Sequence, residues 1–250
     1  MHTDGTAEQI RILAKQLKVP TFVHYQDLLR QAGTDADFGR LLLMLMRNEY
    51  GQRQENQNRR RLKQAGLPYT KTLEELDLSR YDGKITELFM GELSSCRFIE
   101  EKKNLVMLGN PGRGKTHMAI GIALKACSLG MNVLFKNAAS LSTELTEARD
   151  NYSLGKLEKR IRKADLLVLD EMGYVSFDRY QSELLFKVIA DRSERGSIIV
   201  TTNLPFSEWT TLFENSAMVA AMVDRLTFQS YILDMNGTSY RLEQAKRQRR

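Results

Sequence analysis

Cysteine is scarce in this chain: Cys96 and Cys127 are the only two in 250 residues, they form no C-x-x-C pair, and only three histidines accompany them. Neither a disulfide framework nor a zinc site is suggested. Long apolar runs are missing as well. Runs such as Leu41 to Met46 fall far short of the roughly 20 residues that a membrane-spanning helix needs, and Met1-His-Thr-Asp-Gly5 lacks a basic-then-apolar leader. A cytoplasmic protein without membrane association is expected. Internal repeats and low-complexity tracts are absent apart from a basic tail. What is present is ordinary globular material, 42% hydrophobic and 27% charged, enough to bury a real core. The net charge of +6 gives a weak general pull toward polyanions, and its distribution says more. Arg53, Arg59, Arg60, Arg61 and Lys63 crowd one stretch, and Arg241, Lys246, Arg247, Arg249 and Arg250 crowd the end.

Helical spacing dominates the first seventy residues. Ile10, Leu13, Ala14 and Leu17 predict a helix over Ala7 to Lys18, closed by Pro20, and a second helical stretch follows from about Thr21 to Gln31. After the break at Gly33 and Thr34, Asp35 could cap a longer helix carrying Phe38, Leu41, Leu42, Leu45, Met46 and Glu49. Its second half, Arg53 to Lys63, is nearly devoid of apolar residues, so it is solvated or lies on a partner, until Ala65-Gly-Leu-Pro68 stops it. Such a unit is small for a self-sufficient core. The expected organisation is a helical N-terminal domain over 1–70, a larger domain over 71–240 and a basic tail over 241–250.

From Lys103 the pattern alternates. Strands are expected at Asn104–Leu108, Asn132–Lys136, Asp165–Leu169, Ser197–Thr202 and Gln229–Asp234 with helices between, which is the signature of an α/β fold with a five-stranded parallel sheet covered on both faces. The first strand runs into Gly109-Asn-Pro-Gly-Arg-Gly114-Lys115-Thr116 and then into a helical pattern. This is a phosphate-binding loop. Glycines fold the backbone around an anion, and the helix beyond directs unpaired N–H groups at it. Gly109, Asn110, Pro111, Gly112, Arg113, Gly114, Lys115, Thr116 and His117 are the expected nucleotide-binding residues, Lys115 against the β- and γ-phosphates and the Thr116 hydroxyl on Mg2+.

Functional residues of a parallel sheet gather at the carboxyl ends of its strands. Leu166-Leu-Val-Leu169 ends in Asp170 and Glu171, and Ile198-Ile-Val-Thr-Thr ends in Asn203. Asp170 is expected to hold hydrated Mg2+ with Thr116, Glu171 to polarise an attacking water, and Asn203 to orient that water. A bare Asn203 would equally serve a turn before Pro205.

These strand ends resemble those of the AAA+ ATPases, over residues 95 to 240. Within that superfamily, Gly-Asn-Pro-Gly-Arg-Gly-Lys-Thr-His-Met-Ala, Ala-Asp-Leu-Leu-Val-Leu-Asp-Glu-Met-Gly-Tyr and Thr-Thr-Asn-Leu-Pro are similar to the IstB transposition helper ATPases, relatives of the DnaC helicase loaders. The connector Leu67-Pro-Tyr-Thr-Lys-Thr-Leu-Glu-Glu-Leu-Asp77 also looks typical of that family. The resemblance implies ATP and Mg2+ as cofactors, an assembly of like subunits on double-stranded DNA, and a transposase as partner. It further implies an arginine finger given by a neighbouring subunit; Val223-Asp-Arg-Leu226 is similar to the segment that carries it, which points to Arg225, with Arg192 and Arg195 weaker candidates. Only about sixteen residues follow the last strand, too few for the helical lid of the broader superfamily, so Arg241 could take over part of a lid's role.

Two surfaces are expected to meet DNA. One is the basic helix with Arg53, Arg59, Arg60, Arg61 and Lys63; the other, on the likeness to initiator-type AAA+ proteins, is the helical pair after the second strand, with Lys156, Lys159, Arg160, Arg162 and Lys163. No base-reading motif is apparent, so contact should be with phosphates and largely independent of sequence. The alternatives are a DnaC-like helicase loader, which would prefer single strands, and a small metabolite kinase, which the Asp-Glu pair and Asn203 disfavour.

Overall fold

The computed structural model describes residues 3–32, 38–81, 85–237 and 239–240. Gly33, Thr34, Asp35, Asp82, Arg241 and the basic tail lie outside the described residues. Two compact units divide the chain, residues 1–60 and 61–250.

In the first unit, helix α1 covers Thr3–Gln16, α2 covers Tyr25–Ala32, and α3 begins at Phe38 and runs to Ala65. Where one helix is expected from Thr21, a 3-10 turn (Pro20–His24) comes first. Pro20 has no N–H, and the Thr21 N–H is taken by Glu49 Oε2 at 3.2 Å, so the first turn closes tightly, with the Phe22 N–H on the Val19 carbonyl at 3.1 Å. Glu49 is buried and also accepts from Thr21 Oγ1 (2.7 Å) and Arg53 Nε (2.7 Å). Burial pushes its carboxyl up, but the hydrogen bonds from Thr21 and Arg53 more than reverse this and leave it below the usual carboxylate range. A second nitrogen of the Arg53 guanidinium donates to the Lys18 carbonyl, so Arg53 ties α3 to the end of the α1 segment. Little apolar surface is buried in this unit: Ala14 and Leu45 are covered, whereas Leu17, Met46 and Tyr50 are exposed.

In the second unit, α3 ends at Ala65 and Gly66 follows with φ +70, the left-handed conformation in which glycine ends helices. Helix α4 (Glu87–Ser94) is capped by Thr86, whose hydroxyl accepts from the Phe89 N–H at 3.2 Å. A one-turn helix α5 (Arg97–Glu100), entered through left-handed Cys96, has no counterpart in the sequence expectation. The five strands are β1 (Asn104–Leu108), β2 (Val133–Asn137), β3 (Leu166–Asp170), β4 (Ser197–Thr202) and β5 (Ser230–Asp234). They pair in the order β2-β3-β4-β1-β5, every pair parallel. Between them lie α6 (Lys115–Ser128), α7 (Ala138–Asp150), α8 (Leu154–Lys163), α9 (Arg179–Arg192) and α10 (Ser216–Thr227).

Strand residues alternate between two cores. Leu105, Met107, Phe135, Val168 and Ile199 face the side covered by α4 and α6, whereas Val106, Leu134, Leu167, Leu169 and Val200 face the side of α7, α9 and α10. Parallel strands covered on both faces have no solvated side, which is why they read as unbroken apolar runs. Strands β2 and β3 begin and end one residue later than expected. Their register sets Asn137 opposite Asp170 and brings both to the carboxyl edge of the sheet. Arg192, 2% exposed, donates to the carbonyls of Ile161, Ala164, Asp165 and Ser197, and so fastens α8 to the starts of β3 and β4. Among the described residues no helix is long and apolar enough to cross a membrane.

Candidate active site

The loop between β1 and α6 turns on three glycines with positive φ: Gly109 at +144, Gly112 at +76 and Gly114 at +86. At Gly109 a side chain is impossible for a second reason, because a Cβ would lie 2.6 Å from the Met235 carbonyl carbon. The segment after β5 braces the loop here. The Met235 N–H donates to Leu108 O at 2.7 Å, and the Asn110 N–H donates to Asn236 Oδ1 at 3.1 Å.

Lys115 begins α6 and is buried, its ammonium donating to the carbonyls of Gly109 and, at 2.9 Å, Asn110. Next to it, the Thr116 hydroxyl donates to Asp170 Oδ1 at 2.9 Å. Thr201, from β4, donates to the same oxygen at 2.6 Å and accepts from the Glu171 N–H at 2.9 Å. Burial pushes the Asp170 carboxyl up, against the pull of the Thr201 and Thr116 hydrogen bonds and the Lys115 charge. Glu171 leaves the strand with φ +61, which turns its exposed side chain toward β2, where Asn137 Nδ2 donates to Oε2 at 2.8 Å. The same Asn137 caps α7 through Oδ1, which accepts from the N–H groups of Ala139 and Ser140. Asn203 has its Oδ1 buried with no partner among the described residues, beside Gly173, where a Cβ would sit 2.4 Å from that oxygen.

A cleft of about 480 Å3 lies over this constellation, lined by Gly112, Gly114, Lys115, Thr116, Glu171 and Thr201 together with residues of the connector 69–81. Loop, Lys115, Thr116, Asp170 and Glu171 therefore come together as the spacing predicts. Two other predicted binding residues border the cleft but spend their side chains on backbone carbonyls. The Arg113 side chain is buried, donates to the carbonyls of Met235 (3.0 Å) and Arg80 (2.6 Å) and lies over the Tyr81 ring at 5.3 Å. His117 Nε2 meets the Thr72 carbonyl at 2.7 Å. Arg225 is not among the residues that line the cleft: it donates to Ala221 O at 2.9 Å on its own helix and lies over Phe186 at 5.2 Å. Of its rivals, Arg192 is buried, with both terminal guanidinium nitrogens on backbone carbonyls. Thr201 and Asn137 were missed in the sequence, though each is a polar residue at the carboxyl end of a buried strand, which is the signal that could have found them.

The oxygens of Thr116 and Asp170 suit a divalent cation. Ligands at about 2.1 Å on adjacent corners of an octahedron stand about 3 Å apart, close to the 2.9 Å seen here, and Mg2+ takes few protein ligands beside phosphates and water. No cluster of three or more His, Cys, Asp or Glu exists among the described residues, so a metal held by protein alone finds no support there.

The sequence profile of the IstB-like ATP-binding proteins matches residues 12–248. The chain belongs to this family. It is thus an ATP-binding AAA+ ATPase. The IstB-like chain is 34% identical over 241 residues to an insertion sequence IS21 putative ATP-binding protein of Pseudomonas aeruginosa, spanning 96% of this chain and 91% of that one. Among solved structures, DnaI superposes with a TM-score of 0.55 and 21% identity over 68% of this chain and 89% of its own. The DnaC helicase loader gives 0.50 and 24% over 68% and 96%. At those identities the likeness is one of fold.

Proposed function

We propose that this IstB-like protein is an ATP-dependent helper of transposition, which assembles as a multimer on duplex DNA and hands that site to a transposase. The observation that carries the reading is the Thr116–Asp170–Thr201–Glu171 chain of hydrogen bonds at the mouth of a phosphate loop, in a chain related along nearly its whole length to an insertion-sequence protein. ATP enters with its phosphates on the N–H groups of the loop and of α6, and Lys115 exchanges two backbone carbonyls for phosphate oxygens. Thr116 and Asp170 hold Mg2+, which when bound neutralises charge on the phosphates. Glu171 accepts a hydrogen bond from the attacking water, oriented by Asn137, and Asn203, at the end of the neighbouring strand, is proposed to help orient that water.

DNA contact is proposed for two surfaces. Helix α8 buries Leu157 and Ile161 and turns Lys156, Lys159, Arg160 and Lys163 outward. The last turn of α3 lies beside it, Arg160 donating to Gln64 O at 3.4 Å, and carries the exposed Lys63. Arg59 and Arg60 are exposed on α3, whereas Arg53 is paired with Glu49 and acts first as a structural tie. Arg162 is partly neutralised by Asp191 at 3.6 Å. Such a surface binds phosphates and loses affinity steeply with salt. Binding measured with a slowly hydrolysed ATP analogue should favour duplex over single-stranded DNA and produce a particle much larger than one chain. Preference for single strands, with capture of a helicase hexamer, would replace this reading by the helicase loader.

Arg225 is the proposed finger. Swinging it out costs one hydrogen bond of about 1 kcal/mol and a cation–π contact of about 0.5–1 kcal/mol. An arginine finger contributes roughly 10^3–10^5 in rate, so a neighbour's γ-phosphate would easily compensate. Mixing Arg225→Ala with Lys115→Ala subunits, each inactive alone, is expected to restore ATPase at mixed interfaces. Absence of any recovery would remove Arg225 from a shared site.

A further inference from the structure

The cleft is lined by two sets of residues. Thr116, Glu171, Thr201 and Thr202 come from the phosphate loop's helix and the strand ends; Tyr69, Leu76, Arg80 and Tyr240 come, with Lys71, Glu75 and Asp77, from the connector and the segment after β5. If the hydroxyl and carboxylate oxygens of the first set receive the γ-phosphate and its water, the rings of the second set are available to the rest of the nucleotide.

Tyr240 is tied to the loop through its backbone: its N–H donates to Gly112 O at 3.1 Å, which holds its Cα beside the phosphate cradle. The Arg80 guanidinium lies 4.8 Å from the centroid of that ring. Arg80 is itself anchored to the loop, since its carbonyl accepts from Arg113 Nη2 at 2.6 Å, and Tyr81, next in the chain, donates its hydroxyl to Arg113 O at 2.8 Å. The inward turn of Arg113 therefore serves a purpose beyond packing. It locks the connector, with Arg80 on it, to the loop against which Tyr240 is fastened.

We propose that Tyr240, backed by Arg80, is the nucleobase platform of this site: the base stacks on the tyrosine ring, and the guanidinium holds the ring in place. The proposal rests on the reading of the cleft as the ATP site. Recognition by a ring face selects flat area rather than a pattern of donors and acceptors. Purines should bind better than pyrimidines, and either better than bare tripolyphosphate.

The test is equilibrium binding of ATP, CTP and tripolyphosphate, in the presence of Mg2+, to the full chain and to Tyr240→Ala, Tyr240→Phe, Arg80→Ala and the Tyr240→Ala/Arg80→Ala double variant. Tyr240→Ala is expected to weaken ATP roughly tenfold, the scale of one base–aromatic stack, to shrink the ATP-over-CTP preference, and to leave tripolyphosphate within about twofold. Tyr240→Phe should retain ATP affinity, because the ring and not the hydroxyl is used. Arg80→Ala should weaken ATP several-fold in the wild-type background and add nothing in the Tyr240→Ala background, as befits a residue acting through the ring. Equal losses for ATP and tripolyphosphate in Tyr240→Ala, no loss for either, or failure of phenylalanine to substitute would overturn the proposal. A wild-type chain that bound neither ligand would instead remove the ATP site on which the proposal depends.

Discussion

Replacement of Glu171 by glutamine is expected to leave ATP bound while turnover falls by about 10^2–10^4, the usual scale for loss of a positioned general base. The substitution is nearly isosteric and conserves the hydrogen-bonding capacity toward Asn137, whose amide now donates to Glu171 Oε2 at 2.8 Å. The phosphate loop, Thr116 and Asp170 are untouched, so nucleotide and metal contacts persist. If hydrolysis releases the assembly, Glu171→Gln should be trapped on duplex DNA, with dissociation slowed as much as turnover. DNA release at the wild-type rate by a variant that no longer hydrolyses ATP would sink the coupling of hydrolysis to release.

Lys115→Ala acts on binding itself. In the structure its ammonium is buried and satisfied by the Gly109 and Asn110 carbonyls, a position from which only a short reorientation reaches phosphates held in the loop. Truncating one member of a buried charged pair costs about 2–5 kcal/mol, so ATP affinity should fall by roughly thirtyfold to several thousandfold, read by titration calorimetry or a fluorescent ATP analogue. Affinity within a few-fold of wild type would mean that the loop's N–H groups alone carry the phosphates. The two variants separate the steps, since one should fail to load and the other should load and fail to discharge.

Much of this site was legible in the sequence because it lies at strand ends. The runs Leu105–Met107, Leu166–Leu169 and Ile198–Val200 are apolar without alternation because both sheet faces are covered, and each hands the chain to a residue that matters, Gly109, Asp170 or Asn203. A local pattern sufficed there. It failed where a side chain's partner is distant in sequence. Arg113 sits inside the loop motif but spends its guanidinium on Met235 and Arg80, and Arg53 lies in a basic run but answers Glu49 and Lys18. Nothing local to Asn137 announces a part in the site. Only the β2–β3 register, which sets it opposite Asp170, places its amide on Glu171. The one-turn helix α5 is shorter than any periodic signal and follows from the left-handed turn at Cys96.

The backbone at Glu171 has a consequence for how this protein can change. Its φ of +61 is a conformation that costs a residue with a Cβ roughly 1 kcal/mol or more, and that glycine or asparagine would occupy with less strain. Stability and turnover therefore pull in opposite directions at a single position. Variants chosen only for heat resistance should drift toward glycine or asparagine at 171 and lose hydrolysis as they do, so any campaign to harden the enzyme has to hold that residue fixed.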